Sequence, residues 1–394
     1  MPRVYTLLDI TLISQRANAC QKTNTSMKEI FQYFLRLGFV AFGGPAAHVA
    51  MMEEDLVEQK KWLTTEEFLD YMGATNLIPG PNSTEMTMHC GYHRGGALGL
   101  FVGGMSFIFP AVLLTLAVAV FFEKFSEIAW VVPIINGIKA AVLSFIVGAI
   151  LKLGKKAVKT KFLAAIGITV IIVSFLGVNE ILCILAAGIL VLLFHLATNR
   201  TQLNSSIAPL LFFSAAAAIP YSKWKLFFIF LKVGAVLFGS GYVLFAYLDG
   251  ELIEQAGWLT HSDLVEAIAV GQVTPGPVLS TATFIGYKVG GYWGAILATL
   301  GIFLPSFFYV WLLNPLIHKM RKSAPLKAFL DAVNVAAVAV MVVVSVKMAE
   351  SILIDWKTIL ICVLSFFVYF YFKKLNTLWI IFGGAMLGYG VSFV

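Results

Sequence analysis

The sequence predicts an all-α polytopic membrane protein made of two inverted-topology repeats with broken helices. Three observations lead there. The chain is too apolar for a soluble domain, with 59% hydrophobic residues, 12% charged residues and a mean hydropathy of +0.88; soluble domains carry about 25% charged residues. A long unit recurs. Phe42-Gly-Gly-Pro45, Trp62-Leu-Thr64 and Pro79-Gly-Pro81 return as Phe238-Gly-Ser-Gly241, Trp258-Leu-Thr260 and Pro275-Gly-Pro277, each 196 residues later. Helix breakers stand inside the apolar runs of both copies. In lipid, opened backbone is tolerated only where protein or a water-filled cavity meets it.

The apolar segments of the first copy lie at 28–50, 68–90, 96–122, 130–153, 161–177 and 179–198. Those of the second lie at 225–248, 264–287, 292–314, 328–350, 357–372 and 376–394, and a short stretch at 207–221 stands between the copies. A helix needs about 20 residues to cross squarely, so about 12 or 13 membrane segments are expected. Residues 1–27 read as an N-terminal tail, 28–198 as repeat 1, 199–224 as a linker with an extra span, and 225–394 as repeat 2. The polar run 198–206 is too short for a flexible tether, so one integrated unit is expected. The first 27 residues lack a long apolar core and do not read as a cleaved signal peptide.

The loops orient each copy. Lys152, Lys155, Lys156, Lys159 and Lys161 follow the fourth segment of the first copy; Lys347, Glu350, Asp355 and Lys357, which sum to zero, follow that of the second. One crossing earlier the bias reverses, with Lys319, Arg321, Lys322 and Lys327 in the second copy against Glu123, Lys124 and Glu127 in the first. Lys373 and Lys374 against Glu180 agree. By the positive-inside rule the copies insert with opposite orientation.

Thr64 with Glu67, and Thr260 with Asp263, have capping-box spacing. A helix should start at each and break at Pro-Gly-Pro, because proline removes an amide donor and glycine permits open backbone angles. Pro81 and Pro277 then suit the first position of a new helix. Full crossing and a re-entrant hairpin both satisfy the loop charges. Such a helix start presents bare N–H groups and partial positive charge, a natural seat for an anion. Gly80, Asn82, Ser83 and Thr84 in one copy, and Gly276, Val278, Ser280 and Thr281 in the other, are therefore candidate binding residues. Asn76 and Gln272, each three residues before its Pro-Gly-Pro, join them as donors. Phe42, Gly43, Gly44 and Pro45, with Gly239, Ser240 and Gly241, form a second opening in each copy, and the four helix ends should converge near the midplane.

Arg36 and Lys232 hold equivalent places inside apolar helices. A cation there must face the interior or snorkel, and the pair would supply positive potential. Lys139 has no cationic counterpart and ranks lower. Glu53 and Glu85 are candidates for coupling to an ion; Asp249 and Thr281 are their counterparts. Glu85, His89 and His93 share a helix face, which admits a metal enzyme as a reading of another class, although three ligands from one helix bind a metal only with strain. A polar stripe facing a pore is the plainer reading. No resident metal and no cofactor are expected.

The net charge of +7 comes from lysines and arginines clustered between apolar segments, which argues against nucleic-acid binding and for basic loops at an anionic leaflet. Cys20, Cys90, Cys183 and Cys362 are far apart and read as free thiols.

The ordered set Phe42-Gly-Gly-Pro-Ala-Ala-His48, Pro79-Gly-Pro81, Gly91-Tyr-His-Arg-Gly-Gly96 and Phe109-Pro110 resembles the chromate transporter family. The second copy, ending in Gly286-Tyr-Lys-Val-Gly-Gly291 and Leu304-Pro305, resembles the same unit, so the chain is similar to the long, two-repeat form. The resemblance implies a multi-pass carrier of the plasma (inner) membrane that exports chromate and interacts with sulfate, its close mimic. A carrier for sulfate or another oxyanion and an anion channel are the alternatives. The partners expected are the oxyanion, the lipid bilayer and, as an allowance, a second copy in a homodimer. Ser240-Gly241 replaces Gly44-Pro45, so the copies should differ at the site.

Overall fold

The computed structural model describes residues 27–42, 44–126, 128–198, 222–238, 241, 243–314, 323–372, 375 and 377–393. Residues 1–26 of the tail, residues 199–221 of the linker with its stretch 207–221, the site candidates Gly43, Gly239 and Ser240, and the loop cations Lys319, Arg321, Lys322, Lys373 and Lys374 lie outside the described residues. So does Glu127.

Every described element is helical. The first repeat comprises α1 (27–40), α2 (Pro45–Glu53, continued as a π-turn to Gln59), α3 (Thr65–Thr75), α4 (Asn82–Phe125), α5 (Val131–Ala157), α6 (Lys161–Phe175) and α7 (Glu180–Thr198). The second comprises α8 (Lys223–Val236), α9 (Leu244–Leu248, continued as a π-turn to Gln255), α10 (His261–Val273), α11 (Thr281–Leu313), α12 (Ala324–Ile352), α13 (Trp356–Tyr371) and α14 (Thr377–Val391). Four described helices are long and apolar enough to cross a membrane: α4, α5, α11 with its preceding 3-10 turn, and α12. The chain is a multi-pass membrane protein.

Both capping boxes form. The Thr64 N–H donates to Glu67 at 2.8 Å and the Glu67 N–H returns to the Thr64 hydroxyl at 3.2 Å. Thr260 and Asp263 repeat the exchange at the same distances. These caps launch α3 and α10 at the membrane surface.

Each helix so launched turns back. Tyr71 of α3 stacks on His89 of α4 with centroids 5.2 Å apart, and the Asn82 amide donates to Asn76 Oδ1 at 2.8 Å. The pairs are centred on Gly80, so α3 and the start of α4 run antiparallel. Lys288 of α11 likewise reaches Glu266 of α10 at 2.5 Å across Gly276. The segments 68–90 and 264–287 are thus antiparallel helical hairpins. The turns need glycine: φ is 142° at Gly80 and 88° at Gly276. Pro81 is the N-cap of α4 and Pro277 that of the 3-10 turn Val278–Ser280, one residue earlier than expected for each.

The glycine breakers also reverse the chain. His48 Nε2 lies 3.1 Å from Ala41 O, and Tyr33 of α1 packs against Trp62. In the second repeat Tyr247 donates to Val236 O at 2.9 Å and Lys232 pairs with Glu251 at 2.7 Å.

A third reversal lies inside α4 and α11. Gly96 and Gly291 have φ of 62° and 61°, and the helix folds back on itself there. Thr283 and Thr299 hydrogen bond at 2.8 Å across the second fold. Each repeat therefore carries two hairpins, followed by a crossing arm, 97–125 or 292–313, long enough to span a membrane. The arm packs on its own repeat's first helix. A Cβ on Gly38 would meet Phe107 O at 2.6 Å, and one on Gly234 would meet Ile302 O at 2.4 Å.

The halves interlock head to tail. Ala111 of the first crossing arm lies at Gly276, and the equivalent Ser306 of the second lies at Gly80. The first arm continues along the second repeat's hairpin, with Thr115 on Ser280 and Phe122 on Phe284. It thus runs parallel to the start of α11 and antiparallel to the second crossing arm, which is the inversion the loop charges imply. Helix α5 packs on α13 and α14, while α12 packs on α6 and α7.

The fold in α4 depends on Gly91, where a Cβ would come 2.2 Å from Gly99 O. Gly91→Val should destabilise the protein by about 2 kcal/mol or more, read as a lower melting temperature in detergent. Gly383→Ala, with nothing within 4 Å of its Cβ, should leave the melt unchanged.

Candidate functional site

The four hairpin tips meet across the pseudo-twofold axis. The Gly80 N–H donates to Leu237 O at 2.7 Å, and the Gly276 N–H donates to Ala41 O at 3.0 Å. Residues 41 and 237 end α1 and α8, so each Pro-Gly-Pro turn is bonded to the other repeat's glycine breaker. The convergence expected from the breakers is present.

Beside the tips lies a cavity of about 610 Å³. Pro45 and Gly241, the equivalent positions of the two breakers, both line it, as do Asn76, Ile78 and Asn82 of the first Pro-Gly-Pro turn. Its walls rise along α5 and α12 to Lys152, Lys156, Lys159, Asp331 and Asn334. The cavity thus runs from the hairpin tips toward the basic end of α5. The helices α2 and α4 begin at its floor, at Pro45 and Asn82, and neither has a side-chain cap. Two helix starts aim partial positive charge into it. Lys159 is held by Asp331 at 2.6 Å. Lys152 and Lys156 are exposed and have no carboxylate partner among the described residues.

The second Pro-Gly-Pro turn is closed. Pro275, Gly276 and Pro277 are buried, as are Pro79, Gly80 and Pro81 of the first turn; the difference lies in the flanking hydroxyls, where Thr281 donates to Val278 O at 2.7 Å and Thr115 donates to Ser280 at 3.1 Å. Val278 packs under Gly241, and Gln272 is part-buried. The repeats are inequivalent, and the difference extends beyond Ser240-Gly241.

The remaining candidates fall around this centre. Gly44, with φ 79°, is the N-cap of α2, and Phe42 is exposed beside it. Ser83 and Thr84 are buried behind the first tip. Glu85 is fully buried, with its carboxylate beside Gly80 and the Ser306 hydroxyl of the other repeat. Glu53 is part-buried at the end of α2. Arg36 is exposed on α1 and Lys232 is held by Glu251, and neither lines the cavity. Lys139 is neutralised by Glu266 at 2.6 Å.

Glu85, His89 and His93 do not converge. His89 Nδ1 meets Asn314 Oδ1 at 3.0 Å and His93 Nδ1 meets the Tyr71 hydroxyl at 3.3 Å, so the stripe faces α3 and α11 rather than a pore. The described acids that do cluster are Glu180, Asp249 and Glu254, already crossed by Lys347. In sequence, Lys152 and Lys156 mark only the orientation of the chain. Their place as cavity walls appears once α5 is packed against α12.

The tip contact is tight: a Cβ on Gly276 would lie 2.8 Å from Ala111 Cβ. Gly276→Ala should lower the melting temperature. Adding Ala111→Gly should recover part of the loss, because it removes the clash but not the strained φ.

A family model described as chromate transporter matches residues 28–192 and again 224–389, once per repeat. A chromate transport protein of Cupriavidus metallidurans is 31% identical over 371 residues, 92% of this chain and 92% of that protein. A probable chromate transport protein of Synechococcus elongatus is 31% identical over 351 residues, 85% of this chain and 88% of that protein. An uncharacterized transporter of Methanocaldococcus jannaschii is 29% identical over 388 residues, covering 94% and 95% of the two chains. No solved structure matches. With both repeats matched, and relatives aligned nearly end to end, the chain belongs to the chromate transporter family.

Proposed function

We propose that the protein is a secondary carrier that exports chromate, a tetrahedral dianion, through the cavity between its inverted repeats. The observation that carries this reading is the cavity's charge: two uncapped helix starts at its floor, and Lys152 and Lys156 on its walls without acidic partners among the described residues. Chromate transport proteins among the relatives support the choice of anion. The dianion rests on the N–H groups at the start of α4, with Asn76 and Asn82 as amide donors and the backbone of Gly44, Pro45 and Gly241 closing the shell. Arg36 and Lys232 lie outside the lining and add only potential. Glu85 is the coupling residue, since a proton arriving there acts on the Pro-Gly-Pro turn directly; Glu53 serves the mouth.

The cavity opens beside Lys152, Lys155, Lys156, Lys159 and Lys161. By the positive-inside rule that face is cytoplasmic; the plasma membrane is what the family resemblance implies. Outward movement of a dianion is downhill in an inside-negative potential, by about 2.3 kcal/mol per charge per 100 mV. Export then needs no nucleotide hydrolysis. Sulfate, of the same shape and charge, competes.

Labelled chromate uptake into proteoliposomes tests this, with sulfate, phosphate and molybdate as competitors and with and without an imposed potential. Saturable flux that sulfate inhibits is expected. Flux linear in concentration is the behaviour of a channel and rejects the carrier. Lys152→Gln and Lys156→Gln should each raise the chromate KM roughly fivefold, about 1 kcal/mol. Arg36→Gln should raise it less.

A further inference from the structure

The residues equivalent to the cavity's lining in the other repeat are closely packed in this structure. Val49, Met72, Ala149 and Leu153 border the open cavity. Their counterparts, 196 residues on before the fold in α4 and 195 after it, are Phe245, Ile268, Val344 and Met348. Ala149 and Leu153 line the cavity with Val49 and Met72, at about 610 Å³, whereas the four counterparts line a void of about 10 Å³. The same positions enclose a wide space toward one membrane face and almost none toward the other.

The lysines differ in the same sense. Lys347 is the counterpart of Lys152. It pairs with Asp249 at 3.4 Å and with Glu254, and it lies 3.9 Å from Glu180. His261 stands 2.9 Å from Asp249 on the other side. The counterparts of Asp249 and Glu254 are Glu53 and Glu58. Among the described residues, neither makes an ion pair with Lys152. A further tie is also one-sided. Lys139 binds Glu266 on the shut side, while its counterpart Asn334 carries no charge and lines the open cavity.

The geometry points to Lys347 as an oxyanion-binding residue of a second vestibule on the opposite face, exchanging partners in step with Lys152. In the present arrangement Lys152 serves the anion and Lys347 closes its own mouth on Asp249 and Glu254. In the opposite arrangement Lys347 serves the anion and Lys152 closes its mouth on Glu53 and Glu58. The physical reason is that an ammonium leaving water must find an anion. A lysine that loses the solute to a closing mouth needs a carboxylate of its own repeat, and Glu53 and Glu58 supply one. This inference rests on the transport reading, because it names the residue that meets the solute on release.

Thiol labelling tests it without any anion. Leu153→Cys and Met348→Cys are made separately, and a membrane-impermeant maleimide is applied to each face of proteoliposomes. Labelling is read above that of the unmodified chain, whose Cys90 and Cys183 are buried. Leu153→Cys should label from the basic face and Met348→Cys should be protected. Adding Lys347→Gln should raise Met348→Cys labelling severalfold from the opposite face and lower Leu153→Cys labelling, and Lys347→Arg should restore both. General loosening of the fold would raise both signals, which overturns the inference, as would no change in either. Reciprocal labelling without chromate flux would reject the transport reading and leave the exchange standing. Intact flux without reciprocity would reject the exchange alone.

Discussion

Two backbone hydrogen bonds hold the centre of this protein, from Gly80 to Leu237 and from Gly276 to Ala41. They answer the strictest demand of the bilayer. A hairpin tip at mid-depth exposes amide and carbonyl groups that lipid cannot satisfy, at several kcal/mol for each group left unpaired. Here the amide of each Pro-Gly-Pro turn meets the carbonyl that ends the other repeat's first helix, and at Ala41 that carbonyl also meets His48 Nε2. Neither repeat can place its tips in the membrane alone. The close contacts of the two crossing arms, and the packing of α12 on helices of the first repeat, follow from that mutual need.

A shared backbone does not impose shared chemistry. The first Pro-Gly-Pro turn carries asparagines and opens on a wide cavity. The second carries Val278, Ser280 and Thr281, whose hydroxyls are turned to protein partners such as Thr115 and Val278 O. The sequence difference is slight at each site, but it sits where the tips meet, beside a wide cavity in one repeat and close packing in the other. Inverted repeats make two mouths equivalent in design. Different side chains, and the state the chain occupies, make them unequal.

Much of this was legible residue by residue. Thr64 with Glu67 and Thr260 with Asp263 announced helix starts through spacing alone, because a capping box is a local device. Pro-Gly-Pro announced a break for the same reason. The lysines after α5 announced orientation. What stayed hidden was the direction of the chain after each break. The pairs that reveal it, Tyr71 with His89 and Lys288 with Glu266, carry no pattern by which each identifies the other. Arg36 and Lys232 stood out by their equivalent places, yet Lys232 is held by Glu251 and the cavity belongs to Lys152 and Lys156. A charge inside an apolar run is conspicuous in sequence, while a charge brought to a cavity by packing is not.

By itself the sequence determined the membrane solvent, the twofold repetition, its inversion and the places where helices must break. Those rest on composition, spacing and the covalent limits of proline and glycine, all of which act locally or add along the chain. Only the tertiary structure decided that the broken segments are hairpins, that their tips cap one another, and that one set of equivalent positions borders a wide cavity while the other is closely packed. Those outcomes depend on which distant groups share a low-dielectric interior, where an unpaired amide or ammonium must find a partner wherever the fold provides it.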